Sequence, residues 1–123
     1  ENYTPELRNT VDLDNSLGNA IHSGMRQVVN KKPYFKDLAV NVAGKTGTAQ
    51  QDKTRANHAL FVSYAPYEDP EISVSVRIAN GYDSNYAAQT ARDVYKYYYG
   101  LAQEEELVTG TADSLDATGG AGD

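Results

Sequence analysis

The sequence predicts an α+β fold in which helices flank an antiparallel three-stranded sheet. Apolar and polar residues alternate for four cycles around residue 75, which is typical of a strand with one buried face. Two stretches with apolar residues at helical spacing lie before and after the strand candidates. The short connection PYEDP, which contains two prolines, joins the last two strand candidates, as expected of a hairpin between neighbouring antiparallel strands.

The first helix is predicted over about residues 16–30. Its apolar residues recur at helical spacing, at Leu17, Ile21, Met25 and Val28. Asp14 or Asn15 can cap the beginning of this helix, and basic residues followed by Pro33 are typical of its end. We therefore expect one helix that ends before the proline.

Three strands are predicted, over about residues 40–50, 58–65 and 71–79. The first is β-branched and small, and the second, HALFVSYA, follows the polar loop QQDKTRAN. In the third, the alternating apolar residues are Ile72, Val74, Val76 and Ile78. A strand as rich in small residues as the first normally lies beside another structure, so the sheet is expected to be incomplete.

A second helix is predicted over about residues 85–99, with Gly100 at its end. One face carries Ala87, Ala91, Val94 or Tyr95, and Tyr98. Its tyrosine cluster could form a stacking platform, but a helix packed on a sheet buries the body of tyrosine and leaves the hydroxyl to water, and we favour that interpretation. The folded body is thus expected over residues 1–100, followed by an acidic, Gly, Thr and Ala rich tail at 101–123 that should be disordered.

The charge distribution argues against a nucleic-acid partner. The net charge is −6, but the tail carries six acidic residues and no Lys or Arg, so residues 1–100 carry 11 charges of each sign. A neutral body without a basic stripe lacks the Lys and Arg clusters that supply most affinity for nucleic acid. No apolar stretch is long enough to span a bilayer, no signal peptide is recognisable, and there is no cysteine, so we expect a soluble segment without disulfides.

The stretch VAGKTGTAQ, residues 42–50, places Lys45 between two glycines. A nucleotide-binding loop is a weak match, because such a loop needs a helix that starts at the Lys45-Thr46 pair, and Gly-Thr-Ala-Gln is poor helix sequence. On an extended edge strand, Gly47 would instead let a substrate backbone approach closely. Lys45 and the hydroxyls of Thr46 and Thr48 would then form an anion-binding corner. A solvated strand lysine without a function is the remaining alternative.

These residues resemble a known family. VAGKTGTAQ, preceded by SGMRQVV and followed by HALFVSYAPYEDPEISVSVRIANG and a Tyr-rich helix, is similar to the C-terminal part of the transpeptidase domain of penicillin-binding proteins of the class B, monofunctional kind, over about residues 15–99. The resemblance implies an incomplete portion of the serine β-lactamase and penicillin-binding transpeptidase fold. It also implies peptidoglycan cross-linking by acyl transfer from a D-Ala-D-Ala stem peptide, at the extracytoplasmic face of the bacterial membrane, with no metal or cofactor.

The resemblance also implies roles for four residues. Lys45 and Thr48 would be catalytic, Lys45 through its positive potential and Thr48 through a backbone N–H in the oxyanion hole. Thr46 and Thr48 would contact the carboxylate of the stem peptide or of a β-lactam, and Gly47 would leave room for the bound peptide.

The other two motifs of this family, Ser-x-x-Lys with the nucleophile and Ser-x-Asn, are absent from the sequence. We therefore expect no activity from this chain alone, because an acyl-enzyme requires the attacking hydroxyl, and we expect its partner to be the missing N-terminal half of the domain. A non-catalytic module that presents a strand edge to peptides, or that associates with itself, is the alternative. His22 lies within a helix without a carboxylate or second histidine four residues away, and His58 opens a strand, where packing or capping is favoured over catalysis or metal binding.

Overall fold

The computed structural model describes residues 4–107 and confirms the predicted α+β fold. Its elements are α1 (Asn15–Asn30), a 3-10 helix (Pro33–Phe35), β1 (Ala43–Ala49), β2 (His58–Ala65), β3 (Ile72–Ile78), α2 (Ser84–Tyr98) and the short α3 (Glu104–Leu107). Helix α3 lies in the segment predicted to be a tail, and residues 108–123 of that segment lie outside the described residues.

The three strands form one antiparallel sheet in the order β1-β2-β3. Lys45 of β1 lies opposite Val62 of β2, which in turn lies opposite Ser75 of β3. The central strand is therefore β2, and within the described chain β1 and β3 each have one free edge. The apolar residues of β3 are only half-buried for this reason, although they alternate as the sequence predicts.

Strand β1 begins at Ala43, three residues later than predicted. The backbone before it bonds elsewhere, because the carbonyl of Asn41 accepts a hydrogen bond from the N–H of Tyr67 at 2.8 Å. Val42 is 1% exposed and joins the core instead of pairing in the sheet. Val42 is thus buried by packing in the core and not by pairing in the sheet. A sequence pattern of apolar residues does not distinguish these two cases.

The core lies between α2 and one face of the sheet. Phe61 and Ala59 of the central strand are fully buried there, together with Tyr95 of α2. Three fully buried alanines of α2, at Ala87, Ala88 and Ala91, belong to the same cluster. Small side chains on the helix allow its backbone to approach the sheet closely, so bulk is supplied by Phe61 and Tyr95.

Helix α2 starts after a tight turn. Asn80 and Tyr82 adopt left-handed backbone conformations with φ of 53° and 65°, and Gly81 between them fits against the sheet. A Cβ on Gly81 would lie 2.9 Å from the Cβ of Ala59, which is too close for two carbons. Asp83 then caps the helix, since its Oδ1 accepts a hydrogen bond from the N–H of Asn85 at 2.7 Å.

Helix α1 packs along β1 but is only partly covered. Val29 at its C-terminal end is buried, whereas Leu17 and Ile21 at its N-terminal end are about half exposed, at 51% and 48%. The predicted apolar stripe is therefore covered only at one end within the described residues. None of the helices among residues 4–107 is both long and apolar enough to cross a membrane.

Candidate functional site

The candidate site is the strand β1 with its Lys45-Thr46-Gly47 sequence. In β1, Lys45 and Gly47 fall on one face of the sheet, and Thr46 and Thr48 fall on the other, because successive side chains of a strand alternate. The strand pairs with β2 through all seven residues. The nucleotide-loop alternative required a helix that begins at Thr46, and the structure has a strand there.

Lys45 lies on the open face of the sheet. Its side chain is exposed, and its Nζ donates a hydrogen bond to the carbonyl oxygen of Thr46 at 2.8 Å. Val62, directly opposite, is 49% exposed. The ammonium group is therefore accessible to a ligand that lies on this face.

Gly47 is on the same face, and nothing in the described chain requires it to be glycine. A Cβ built on Gly47 would lie 3.4 Å from the Cβ of Leu60 and 3.7 Å from its Cδ1, which are ordinary contacts. Gly44 on the same strand is different, because a Cβ there would lie only 2.5 Å from the Cζ of Phe61. The two glycines of β1 thus differ: the core leaves no room for a Cβ at Gly44, whereas a Cβ at Gly47 would make only ordinary contact with Leu60.

The two threonines differ in exposure. Thr46 is 6% exposed and lies opposite Phe61, on the side covered by α2. Thr48 is exposed and lies opposite Ala59 near the end of the strand. A ligand at the free edge of β1 can reach Thr48 more readily than Thr46, so a carboxylate contact through Thr46 stays a prediction.

The beginning of β1 is held by an arginine of α1. Nη1 of Arg26 donates to the carbonyl oxygen of Val42 at 3.0 Å, and Nη2 donates to Oδ1 of Asn41 at 2.6 Å. The Nδ2 of Asn41 donates in turn to Oε1 of Glu68, at 2.6 Å, in the loop between β2 and β3. This network fixes the backbone just before β1 against both α1 and that loop. It was not predicted, because its bonds join residues that are far apart in the sequence.

The end of β1 is held by His58. The ring is 8% exposed, its Nδ1 accepts a hydrogen bond from the N–H of Asn80 at 3.0 Å, and its Nε2 lies 2.8 Å from Oε1 of Gln51. The prediction of a packing or capping role for this histidine agrees with these contacts. His22 is exposed on α1, and its ring lies 5.4 Å from the ring of Tyr64.

On the face of the sheet that α2 covers, a buried hydrogen bond joins β2 to α2. Oγ of Ser63 lies 2.9 Å from Oη of Tyr95 and also donates to the carbonyl oxygen of Val74 at 3.2 Å. Burial raises the pKa of Tyr95 to about 12, because the phenolate would lose its hydration there, although the Ser63 bond opposes the rise. Tyr95 is thus a core residue, and Tyr99 packs against the core. The placement of Tyr98 on the sheet-facing side of α2 was wrong, since Tyr98 is 54% exposed and Tyr97 is 61% exposed.

A cleft of about 210 Å³ lies at the beginning of β1, away from Thr48. Its basic lining residues include Arg26 and Lys32, and both are occupied, since Arg26 bonds to Val42 and Asn41 and the Nζ of Lys32 donates to Oδ1 of Asn85 at 2.8 Å. The cleft is therefore a seam between α1, the 3-10 helix and β1. Within residues 4–107, no cluster of three or more acidic or histidine side chains is placed to hold a metal ion.

Comparison with known proteins decides the family. A model of the penicillin binding protein transpeptidase domain matches residues 3–96. This chain belongs to that family. The resemblance predicted from the Lys-Thr-Gly stretch and its flanking segments is confirmed, and matches to MrdA and PBP2 proteins agree with the class B type.

The relatives of this transpeptidase-family chain include characterised proteins and solved structures. It is 37% identical over 99 residues to the peptidoglycan D,D-transpeptidase MrdA of Haemophilus influenzae, a match that covers 64% of the chain and 15% of the relative. It superposes on Pseudomonas aeruginosa PBP2, solved in complex with WCK 5153, with a TM-score of 0.65 and 28% identity, over 92% of the chain and 26% of that protein.

A third similar structure is the imipenem acyl-enzyme complex of penicillin-binding protein A from M. tuberculosis, with a TM-score of 0.58 and 26% identity over 71% of the chain and 20% of that protein. The chain spans 15–17% of the length of the curated relatives it matches. It therefore corresponds to a small part of a D,D-transpeptidase, within the transpeptidase domain.

Proposed function

We propose that this chain contributes one wall of the acyl-transfer site of a peptidoglycan D,D-transpeptidase, with β1 as the strand along which the donor peptide lies. The observation that carries the proposal is the combination on β1 of an exposed Lys45, an exposed Thr48 and a glycine between them that the core does not require. An open strand edge accepts an extended peptide as a further strand, through main-chain hydrogen bonds.

In this proposal the attacking serine and its neighbouring lysine belong to the remainder of the domain, as the absence of Ser-x-x-Lys from this sequence demands. The serine oxygen attacks the carbonyl carbon of the penultimate D-Ala, and the resulting oxyanion accepts a hydrogen bond from the N–H of Thr48. The terminal D-Ala then leaves with the proton that the serine lost. The amine of a neighbouring stem peptide attacks the serine ester, so that an amide bond forms, the bond to the serine oxygen breaks, and the amine proton returns to the serine.

Lys45 and the threonines recognise the donor terminus. The ammonium of Lys45 supplies positive potential next to the terminal carboxylate, and the exposed hydroxyl of Thr48 at the free edge donates a hydrogen bond to it. A contact through the buried Thr46 hydroxyl would require the ligand to enter from the side of α2. A β-lactam would be bound by the same groups, as it also carries a carboxylate next to a reactive carbonyl. Since the substrate is the cell-wall polymer, the site would act at the extracytoplasmic face of the membrane.

The test uses the complete polypeptide that carries this segment and a fluorescent penicillin. Replacement of Lys45 by Ala should lower the second-order rate of covalent labelling by about 100-fold, because a preorganised charge next to the reacting group is removed. The fold should be unaffected, since the side chain is exposed and only its bond to the Thr46 carbonyl is lost. Equal labelling of K45A and wild type would overturn the proposal.

Lys53 supplies a matched control. It is an exposed lysine in the loop between β1 and β2, so Lys53→Ala removes the same charge from the same region without touching β1. We expect K53A to be labelled at the wild-type rate. The chain of 123 residues alone should not be labelled, because it holds no Ser-x-x-Lys motif.

A second function is favoured by one observation, the free edge of β1 in a chain without the nucleophile motif. A non-catalytic module could add a peptide strand, or a second copy of itself, to that edge. Absence of covalent labelling of the complete polypeptide, together with peptide binding, would support this alternative. Self-association would appear as a molar mass that rises with concentration in light scattering.

A further inference from the structure

His58 connects two loops at the C-terminal end of β1, where Thr48 lies. It is the first residue of β2 and lies directly opposite Ala49, the last residue of β1. One ring nitrogen bonds to Gln51, two residues after β1, and the other bonds to the backbone of Asn80, two residues after β3. The imidazole therefore bridges the loop that follows β1 and the turn that precedes α2.

The two contacts determine which tautomer the ring adopts. Nδ1 accepts a hydrogen bond from a backbone N–H, so it carries no proton, and a neutral imidazole must then carry its proton on Nε2. Nε2 consequently donates to Oε1 of Gln51 at 2.8 Å. Nη2 of Arg77, 3.5 Å from Nε2, cannot donate to a nitrogen that already bears a proton, so Arg77 contributes positive potential there and no hydrogen bond.

The tautomer makes His58 a directional connector, because the ring accepts a hydrogen bond from the Asn80 turn and donates one to the Gln51 loop.

Thr48 lies next to this connector. It is the penultimate residue of β1, and two residues, Ala49 and Gln50, separate it from Gln51. The loop beyond Gln51 is exposed up to Ala56, and the side-chain bond from His58 to Gln51 extends the attachment of the strand end by two residues beyond the backbone pairing of Ala49 with His58. Arg26 holds the other end of β1 through Val42. The strand is therefore fixed at both ends by side chains from outside it.

We propose that His58 is a positioning residue for the oxyanion-hole N–H of Thr48, which it holds through its Nε2–H bond to Gln51. The inference rests on the proposed function for the role of Thr48, but the tautomer and its two bonds do not. An oxyanion donor acts only at hydrogen-bond distance from the developing charge, so loosening of the strand end should reduce the rate of acylation more than the affinity for the ligand.

Two substitutions separate positioning from general stability. His58→Gln can keep a donor amide at the place of Nε2 and loses the acceptor for Asn80. His58→Asn can keep an acceptor at the place of Nδ1 and loses the donor for Gln51. Each variant removes one hydrogen bond from a residue that is 8% exposed, so both should lower the melting temperature by similar amounts.

The experiment measures acylation of the complete polypeptide by a fluorescent penicillin, with the acylation rate constant and the noncovalent dissociation constant determined separately. We expect H58N to lower the rate constant by about 10-fold, with the dissociation constant changed by less than about 2-fold, and H58Q to retain nearly the wild-type rate constant. The inference would be overturned if both variants kept the wild-type rate constant, or if both lost it to the same extent; His58 would then be a structural residue only.

A measurement on the 123-residue chain tests the bridge independently. In ¹⁵N NMR spectra, the ring of His58 should show a protonated Nε2 and an unprotonated Nδ1, and the amide of Asn80 should exchange slowly in wild type and H58N but faster in H58Q. A protonated Nδ1 would contradict the inference. The two proposals can fail separately. If His58 shows this NMR signature but K45A is labelled by penicillin at the wild-type rate, the proposed function is wrong. If K45A is labelled more slowly and H58N is not, only the inference about His58 is wrong.

Discussion

The two glycines of β1 give a sharp test of the structure. Replacement of Gly44 by Ala would place a Cβ 2.5 Å from Cζ and 2.9 Å from Cε2 of Phe61, and 2.9 Å from the carbonyl oxygen of Val62. Carbon atoms in contact are about 3.5–4.0 Å apart, so the ring must move by roughly 1 Å. Phe61 is 0% exposed, and the core around it has no room for such a shift.

The expected cost follows from these distances. Overpacking of a core costs about 1–3 kcal/mol, and a Gly to Ala change returns about 0.4–1 kcal/mol through the entropy of the unfolded chain. The free energy of unfolding of G44A should therefore fall by about 1–2 kcal/mol, which lowers the melting temperature by roughly 4–16 °C for a domain of this size. Gly47→Ala meets only ordinary contacts with Leu60 and should be neutral or stabilising by up to about 0.5 kcal/mol.

The assay is thermal and urea unfolding of the chain, followed by circular dichroism. A third variant, Phe61→Leu in the G44A background, should cost less than the sum of the two single changes because the smaller side chain vacates the space that the new methyl group needs. If G44A and G47A were equally stable, the register of β1 on β2 or the place of Phe61 would be wrong. In the complete polypeptide G47A should still slow penicillin labelling, since the missing side chain at Gly47 is proposed to leave room for the ligand backbone.

Three further predictions concern α2 and its contact with β2. Tyr95→Phe should lower the free energy of unfolding by about 1 kcal/mol, and Ser63→Ala by more, about 1–3 kcal/mol, because it leaves the buried Tyr95 hydroxyl without its partner. The pKa of Tyr95 is raised from 10.0 to about 12 in the folded state, so its contribution to the free energy of unfolding is complete below pH 10 and is lost as the pH rises towards 12. Urea unfolding measured at each pH should show a smaller loss of stability in Y95F than in wild type. Asp83→Ala removes the cap that bonds to the N–H of Asn85 and should cost about 1 kcal/mol in the same assay, whereas Asp83→Asn should restore most of it.

The elements of the fold were predictable because their signals are local. Alternation identified β3, and apolar residues at spacings of three and four identified α1, from residues that are neighbours along the chain. The structure placed their ends within one residue of the prediction for α1, β2, β3 and α2. The start of β1 was the exception, because whether Val42 pairs or packs depends on the distant groups that reach its backbone.

The candidate site was only half predictable. Lys45, Thr46, Gly47 and Thr48 could be named as candidates because they form a contiguous motif, and the structure places all four on one strand. Arg26 and His58, which hold the two ends of that strand, were not assigned this role, since their bonds reach across 16 residues to Val42 and 22 residues to Asn80. A histidine at the first position of the neighbouring strand was the only available signal, and it indicates capping in general without naming the partners.

By itself, the sequence determined the class of fold, the order of its helices and strands, and the family, because each depends on residue types at short and regular spacing. Only the tertiary structure decided that the core excludes a Cβ at Gly44 but not at Gly47, that Thr46 is buried while Thr48 is exposed, and which tautomer His58 adopts. The physical reason is common to all three: each depends on the distance between atoms that are brought together by strand register and helix packing, and that distance is not encoded in any local pattern.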